Sequence, residues 1–551
     1  MKLEHAGSVP LAAGGFGGGL VTDWVNDFER VKLFFRRDAR DESDCRAVLD
    51  ELRAAKHPRA ELARILEAAG REYGAPQEAL ENARALARPD VFVVVTGQQA
   101  GLFGGPLYVL WKALTAVKLA REWSRRFAPR ARFVPVFWVA SDDHDLGEID
   151  HAYFLDARAG LHRLRARWAE GERGRTAACV SFARQAAGLR DSLEALLPGA
   201  ADAIIEPYRR RSVGAACAEL LSRWLGSLGL VAVESVKLCA LGGELFAQEL
   251  REYKQTGALV HAAGQALEAA GYVPGLVEDA PAPHLFLMRQ GIRVALEPME
   301  DGNAFRERSS ALAAHGLSPQ THDLPAIERR ALQSPQDFSP SAALRPVWQD
   351  LALPAAAVVL GPGELAYWAQ LAALHDRCRA VWPMVVPRAS LTLLDAPALR
   401  AVRKLNLTPE EVVLPWGELK RRRPDLGAEA SKLGQEAAGI LEALERMHQQ
   451  VRSVEHGLET LFAKARERIG HELNRVVEKT RSTLAQRDET GAARLEYLAS
   501  FVRPKDRPQE RVLCSAQVLT RDPALPARML ELLDPLSFQH HLVGWTEETP
   551  D

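Results

Sequence analysis

The 551-residue chain has no C-x-x-C pair, and its six cysteines (Cys45, Cys179, Cys217, Cys239, Cys378 and Cys514) lie more than twenty residues apart. Neither a zinc site nor a disulfide frame is signalled, so the thiols are expected to be small buried apolar groups. No apolar run approaches the about 20 residues that a bilayer span takes. The opening "MKLEHAGSVPLAAGGFGGGLV" carries a glutamate, a histidine and glycines where a secretory leader carries an apolar helix, so a cytoplasmic protein with no membrane partner is expected. Charge of one sign is also missing. With 70 basic against 72 acidic residues the net charge is −2, which exerts no global pull toward nucleic acid and leaves a small-molecule substrate as the expectation. There is no G-x-S-x-G elbow to support a serine hydrolase, and the glycines at 14 to 19 follow no strand and form no dinucleotide fingerprint.

What is present is ordinary soluble composition, 47% apolar and 26% charged, over a length that implies two to four domains. Residues 41–88 are rich in Ala, Leu, Glu and Arg, with Leu62, Ile65 and Leu66 at helical spacing, and read as a helical lead-in. Short apolar runs then alternate with amphipathic helices: "VFVVV" from Val91, a helix over residues 106 to about 127, "FVPVFWVA" from Phe133, "GLVAVES" from Gly229, "AAAVVLGPGE" from Ala355 and "MVVPRASLTLL" from Met384. Buried strands joined by crossover helices predict an α/β fold with a parallel sheet covered on both faces. Leu107, Leu110, Leu114 and Val117 mark the buried stripe of the first crossover helix, with Pro106 at its start.

Two stretches interrupt this pattern. One is basic and irregular, and the other holds helices and an apparent hairpin, "HLFLMRQGIRVALEPM". The expected organisation is therefore a lead-in and first half-core over 1–150, a first insertion over 151–200 and core again over 201–244. A second insertion follows over 245–338, the last core part over 339–424, a coiled coil over 425–500 and a segment packing on the core over 501–551. The coiled coil rests on Leu433, Ala437, Ile440, Leu444, Met447, Val451, Val454, Leu458, Leu461 and Ala465, which follow one another by fours and threes before the stripe shifts to Ile469, Leu473 and Val476. Either a stutter or a break near His456 and Gly457 with a fold-back explains the shift. A stripe on roughly sixty helical residues, at about 1.5 Å each, needs a partner, and a homodimer supplies it most simply. "KRRRP" before it reads as a solvated helix end.

In an open parallel sheet, ligands bind beyond the carboxyl ends of the strands. Three polar loops lie at such ends. "TGQQAGLFGGP", residues 96–106, has glycines that permit backbone approach and a helix start that offers N–H groups to an anion; a tight turn needs glycine too, but paired glutamines after a buried strand favour binding. "SDDHDLGEIDH", residues 141–151, surrounds His144 with three aspartates, which suits a general base or acid, while Ser141 or Asp142 as a helix cap is the plainer reading. A metal is the sharper rival there, since on a helix His144, Glu148 and His151 share one face with Asp143 or Asp145 beside them. "GPGELAYWAQL", residues 361–371, opens a helix with Glu364 and Tyr367 one turn apart; its glycine count falls short of a P-loop, no Gly-Lys-Ser/Thr follows, and Trp368 suits a core.

Together "VVTGQQAGLFGGPLYVLWKALTAVKLA", "VPVFWVASDDHD", "LRPVWQDLALP", "GPGELAYWAQL", "MVVPRASLTLL" and "RPQERVL", in this order over residues 94–513, resemble the bacillithiol biosynthesis cysteine-adding enzymes. The resemblance implies a Rossmann-type core with two connective insertions, as in class I aminoacyl-tRNA synthetases, plus a long C-terminal coiled coil that dimerises. It implies a ligase that joins cysteine to the amine of glucosaminyl malate, with ATP as activator. Related synthetase-like folds carry a "HIGH" motif where this chain reads "LFGGP", so both histidines are missing and the form of activation stays open. The expected catalytic group is His144, oriented by Asp143 or Asp145. Thr96, Gly97, Gln98, Gln99, Gly101, Gly104, Lys112, Gly361, Gly363, Glu364 and Tyr367 are the expected substrate- or nucleotide-binding residues, with no metal. The alternative is a metal-dependent hydrolase built on Asp143, His144, Glu148 and His151.

Overall fold

The computed structural model describes residues 1–16, 18–172, 174–277, 281–300, 302–422, 427–452, 459–487 and 489–547. The chain opens with β1 (Lys2–Pro10), a strand that its uneven pattern did not announce. The helical lead-in follows as Glu42–Ala54, Arg59–Glu72 and Gln77–Ala85. Then come β2 (Val91–Gln99), the helix Leu107–Arg126 and β3 (Arg132–Ala140). The first interruption holds a hairpin, β4 (His151–Leu155) and β5 (Leu161–Arg165), and the helices Ala201–Arg210 and Val213–Leu225 lead back to β6 (Val231–Glu234).

The second interruption starts with the long helix Gly243–Ala269 and continues through β7 (Leu285–Arg289), β8 (Ile292–Pro298), β9 (Ala304–Glu307), β10 (Thr321–Asp323) and β11 (Phe338–Pro340). These five strands form an antiparallel sheet of order β10-β9-β8-β7-β11. The hairpin expected at residues 284–299 is β7 and β8, joined at Gln290 and Gly291, both at positive φ (52° and 82°) as a two-residue hairpin turn requires.

The core resumes with β12 (Ala355–Leu360) and β13 (Met384–Pro387). "MVVPRASLTLL" is not one strand: it turns at Arg388 and Ala389 and continues as β14 (Ser390–Leu394) in a different sheet. There β14 lies parallel to the carboxyl-terminal β15 (Gln539–Thr546), and β15 pairs antiparallel with β1, so the two ends of the chain share one three-stranded sheet.

The core sheet is parallel throughout, in the order β13-β12-β2-β3-β6. Numbered by their succession in the core, the strands read 3-2-1-4-5 across the sheet, the doubly wound arrangement. Val91 to Val95 are each 0% exposed, because helices cover both faces and neither face of the strand can be polar. The chain reverses its winding between β2 and β12, and the crevice beyond their carboxyl ends is the place where such sheets bind ligands.

The coiled-coil stripe closes within the chain. Helices Gly427–Arg452 and Glu459–Arg487 pack as an antiparallel hairpin, with Arg466 paired to Glu445 at 2.9 Å and the His448 and Phe462 rings stacked at 5.2 Å. The expected break near His456 and Gly457 lies outside the described residues. Among the described residues no helix is long and apolar enough to cross a membrane. Cys45, Cys217, Cys239 and Cys514 are buried and Cys378 is half-buried, whereas Cys179 is exposed, contrary to expectation.

Candidate active site

At the winding reversal, β2 ends in Gly97, Gln98 and Gln99. Gly97 lies opposite Trp138 of β3, and a Cβ there would stand 2.6 Å from the Trp138 carbonyl oxygen, so only glycine lets the two strands close at this point. From the helix behind, Lys112 reaches up through the core. Its side chain is 1% exposed, and its Nζ donates to Gly97 O (2.7 Å) and Gln98 Oε1 (2.8 Å) and pairs with Glu364 Oε2. Burial pushes the Lys112 pKa down, and the Glu364 carboxylate beside it works in the opposite direction. Glu364 Oε2 also accepts the Gly361 N–H at 2.7 Å, which caps the helix Pro362–Trp368. One buried cation thus ties the end of β2 to the helix that follows β12.

Two lobes open on either side of this tie. The deep lobe, about 290 Å³, is walled by Gly97, Trp138, Asp142 and Asp143, by Ser341, Arg345, Gln349 and Tyr367, and by Arg293 from the second insertion. Arg345 donates to the Tyr367 hydroxyl at 2.8 Å, and burial raises the tyrosine's pKa. Asp142 is buried and accepts from Ser235 Oγ (2.5 Å) and Ser339 Oγ (2.7 Å), so it anchors the lobe's floor. Arg293 stacks its guanidinium 4.2 Å from the Phe286 ring centroid and lies 3.3 Å from Asp143 Oδ1. Burial alone would raise the Asp143 pKa; the hydrogen bond with His144 and the Arg293 charge outweigh it and hold the carboxyl at about 2.

The second lobe, about 670 Å³, is basic. Gly101, Gly105, Tyr108, Lys112, His151 and Gly361 to Glu364 line it together with Arg388, Arg507 and Arg511. Arg388 is held by Glu510 through Nη2–Oε1 (2.6 Å) and Nη1–Oε2 (3.0 Å), both side chains being buried. The guanidiniums of Arg507, exposed, and Arg511, half-buried, take no hydrogen bond to the described residues and are open to the lobe. The three arginines arrive from the turn between β13 and β14 and from the segment after the coiled coil, whose Leu513 O accepts Leu107 N–H (2.8 Å) and whose Ser515 N–H binds Gly105 O (2.8 Å). Gln98, Gln99 and Glu364 are the residues that line both lobes.

Of the residues singled out from sequence, Gly97, Gln98, Gln99, Gly101, Lys112, Gly361, Gly363, Glu364, Tyr367 and Asp143 meet at these lobes. Thr96 does not: its hydroxyl is buried and spent on Val359 O at 2.9 Å, stitching β2 to β12. Gly104, at φ 87°, faces Trp224, where a Cβ would stand 2.5 Å from the ring. The helix start is less open than expected, because Leu107 and Val109 N–H are bonded to Leu513 O and Pro106 O. Asp145 is exposed and caps the short helix Leu146–Ile149 through Gly147 N–H (3.1 Å), so it does not orient His144.

His144 lines neither lobe. It sits outside Asp143 with Nδ1 3.6 Å from Asp143 Oδ1 and 3.4 Å from Arg293 Nη1, its side chain 42% exposed. The face imagined for a metal does not form, since the helix covers only residues 146–149 and its members take separate partners. Glu148 accepts from Gln99 Nε2 (2.9 Å) and His151 bonds Asp150 (2.8 Å). No group of three or more His, Cys, Asp or Glu side chains among the described residues could hold a metal ion.

Arg293, Arg345, Arg388, Glu510 and Arg511 were not singled out from sequence. Arg345, Arg388, Glu510 and Arg511 stand within "LRPVWQDLALP", "MVVPRASLTLL" and "RPQERVL", where a charged residue beside an apolar run is the available signal.

Comparison with known proteins agrees with this architecture. The family model described as "Bacillithiol biosynthesis BshC, N-terminal Rossmann-like domain" matches residues 10–389, and "Bacillithiol biosynthesis BshC, C-terminal coiled-coil domain" matches residues 391–545. A protein of Salinibacter ruber named "Putative cysteine ligase BshC" is 30% identical over 97% of this chain and 97% of its own length. One of the same name from Thermus thermophilus is 32% identical over 88% of this chain and 94% of its own. Among solved structures, the arginyl-tRNA synthetase of Thermus thermophilus aligns with 88% of this chain and 84% of its own at 12% identity, with a TM-score of 0.18, too low to bear on the fold.

Proposed function

Because the chain belongs to the BshC family of bacillithiol biosynthesis, we propose that it is a cysteine ligase that joins the cysteine carboxyl to the amine of glucosaminyl malate, with ATP as activator. The observation that carries the reading is a pair of lobes of unlike character sharing one wall of Gln98, Gln99 and Glu364. Forming an amide from two molecules needs both held with the reacting atoms in line, and a shared wall does this. The deep lobe suits an amino acid: Asp143 faces the ammonium, and the carboxyl points to the junction, where the Gln98 amide is held with Oε1 on Lys112 and its NH₂ turned away from it. The basic lobe takes the anionic group that each half of the reaction brings, first phosphate and then the malate carboxylates, on Arg388, Arg507 and Arg511.

A carboxylate does not acylate an amine in water until its oxygen becomes a leaving group, which is the chemistry that ATP supplies. The unpartnered guanidiniums fit its phosphates. The chain's own residues hold the two substrates, orient them and exclude water. We place the homodimer contact on the hairpin, which still exposes Ile440, Met447, Leu461 and Val476 by about half or more after its two helices have packed. The test is to incubate the purified protein with cysteine, glucosaminyl malate and ATP and follow the condensed thiol by mass. Product that needs all three supports the reading, and no product with all three present defeats it.

A further inference from the structure

We propose that Glu364, through Oε1, accepts the proton that the attacking amine loses, and that Lys112 is the positioning residue that holds it there. This rests on the ligase reading of the same site. Three residues line both lobes, and of these only Glu364 can take a proton, since the amides of Gln98 and Gln99 are not bases. Its two oxygens are unequal. Oε2 receives both Lys112 Nζ and the Gly361 N–H, whereas Oε1 has no hydrogen bond from the described residues. The side chain is 23% exposed, enough to face the cleft and pass a proton on to water.

Lys112 cannot serve as the base in its place. Its three neighbours, Gly97 O, Gln98 Oε1 and Glu364 Oε2, are all acceptors, so the nitrogen meets them as an ammonium with all three protons used. The other ionisable groups fail on position or strength: Asp142 lines the deep lobe alone and is spent on Ser235 and Ser339. Glu148 lines the basic lobe alone and is engaged by Gln99, Asp143 lines the deep lobe alone and is held at about 2, and His144 lines neither. The step balances as follows: the amine lone pair forms the C–N bond to an acyl carbon whose oxygen carries an anionic leaving group. That C–O bond breaks with its electron pair, and the N–H proton passes to Glu364 Oε1.

The test separates proton transfer from mere structure with three variants, E364Q, K112M and the double K112M/E364Q, compared with wild type by melting temperature and by kcat and KM for the amine. E364Q leaves the buried Lys112 ammonium without its counter-charge and K112M leaves Gly97 O and Gln98 Oε1 without a donor, and either change lowers the melting temperature. The double change removes both charges and is expected to recover part of the loss, since Gly97 O and Gln98 Oε1 still lack the donor that Lys112 gave them. Its kcat is nevertheless expected to stay about 10²–10⁴-fold down, with KM for the amine little changed. A folded E364Q or double variant that turns over like wild type overturns the proposal and leaves the ligase reading standing. Wild-type protein that forms no condensed thiol removes both.

Discussion

Breaking the Arg388–Glu510 pair is expected to cost the core more than any surface ion pair in this chain. Glu510 is 0% exposed and accepts four hydrogen bonds: Arg388 Nη2 (2.6 Å) and Ser390 Oγ (3.1 Å) on Oε1, and Arg388 Nη1 (3.0 Å) and Leu391 N–H (3.1 Å) on Oε2. In E510Q one oxygen becomes an NH₂ group, and whichever it is, it faces one guanidinium N–H and one further donor. A buried cation is left without its counter-charge and two donors without acceptors, a loss of about 3–5 kcal/mol. R388M strands the carboxylate instead and should cost a similar amount. The double variant R388M/E510Q has no buried charge, and its glutamine still accepts from Ser390 or Leu391, so it should lose far less than the sum of the singles. Urea unfolding of the core, followed by tryptophan fluorescence, measures all four proteins. Additivity within about 0.5 kcal/mol would show that the two side chains are not coupled and refute the argument. Because Arg388 also lines the basic lobe, R388M should weaken binding of inorganic phosphate, read by calorimetry.

Three further outcomes are expected. Gly97→Ala places a methyl 2.6 Å from the Trp138 carbonyl oxygen, so β2 and β3 must part; about 1–3 kcal/mol of stability and most condensation activity should go, and a variant with wild-type melting and rate contradicts the close-approach argument. Met447→Glu with Leu461→Glu should turn a dimer into a monomer by light scattering while the core's melting is unchanged; an unaltered mass places the contact elsewhere. Asp143 has its carboxyl at about 2 in the folded chain, below the ordinary 3.8, so its contribution is present above pH 4 and lost as pH falls from about 4 to 2. Discounted for partial exposure, about 1–2 kcal/mol should vanish over that window, and Asp143→Asn should flatten the dependence there.

The strands were legible because a strand buried on both faces must be apolar at every position, as "VFVVV" and "AAAVVL" are. The polar loops were legible because amides and carboxylates next to such strands are out of place. Individual roles were not. Asp142, Asp143 and Asp145 look alike in sequence, yet the first is a buried anchor, the second lines the deep lobe and the third caps a single helical turn. Thr96 and Gly97 are neighbours, and only the strand beside each decides that the first is spent on Val359 and the second must admit Trp138.

The chain's one-dimensional pattern determined the class of fold, the loops at the strand ends and the helical arm, because periodicity and turn chemistry act over a few residues. The tertiary structure alone decided that β2 and β12 become neighbours across the winding reversal, so that Lys112 can hold Glu364. It also brought Arg293 from an insertion and Arg388, Glu510 and Arg511 from distant segments to the same cleft, and folded the arm back on itself. Those outcomes depend on which distant surfaces bury each other, a choice that no local spacing encodes.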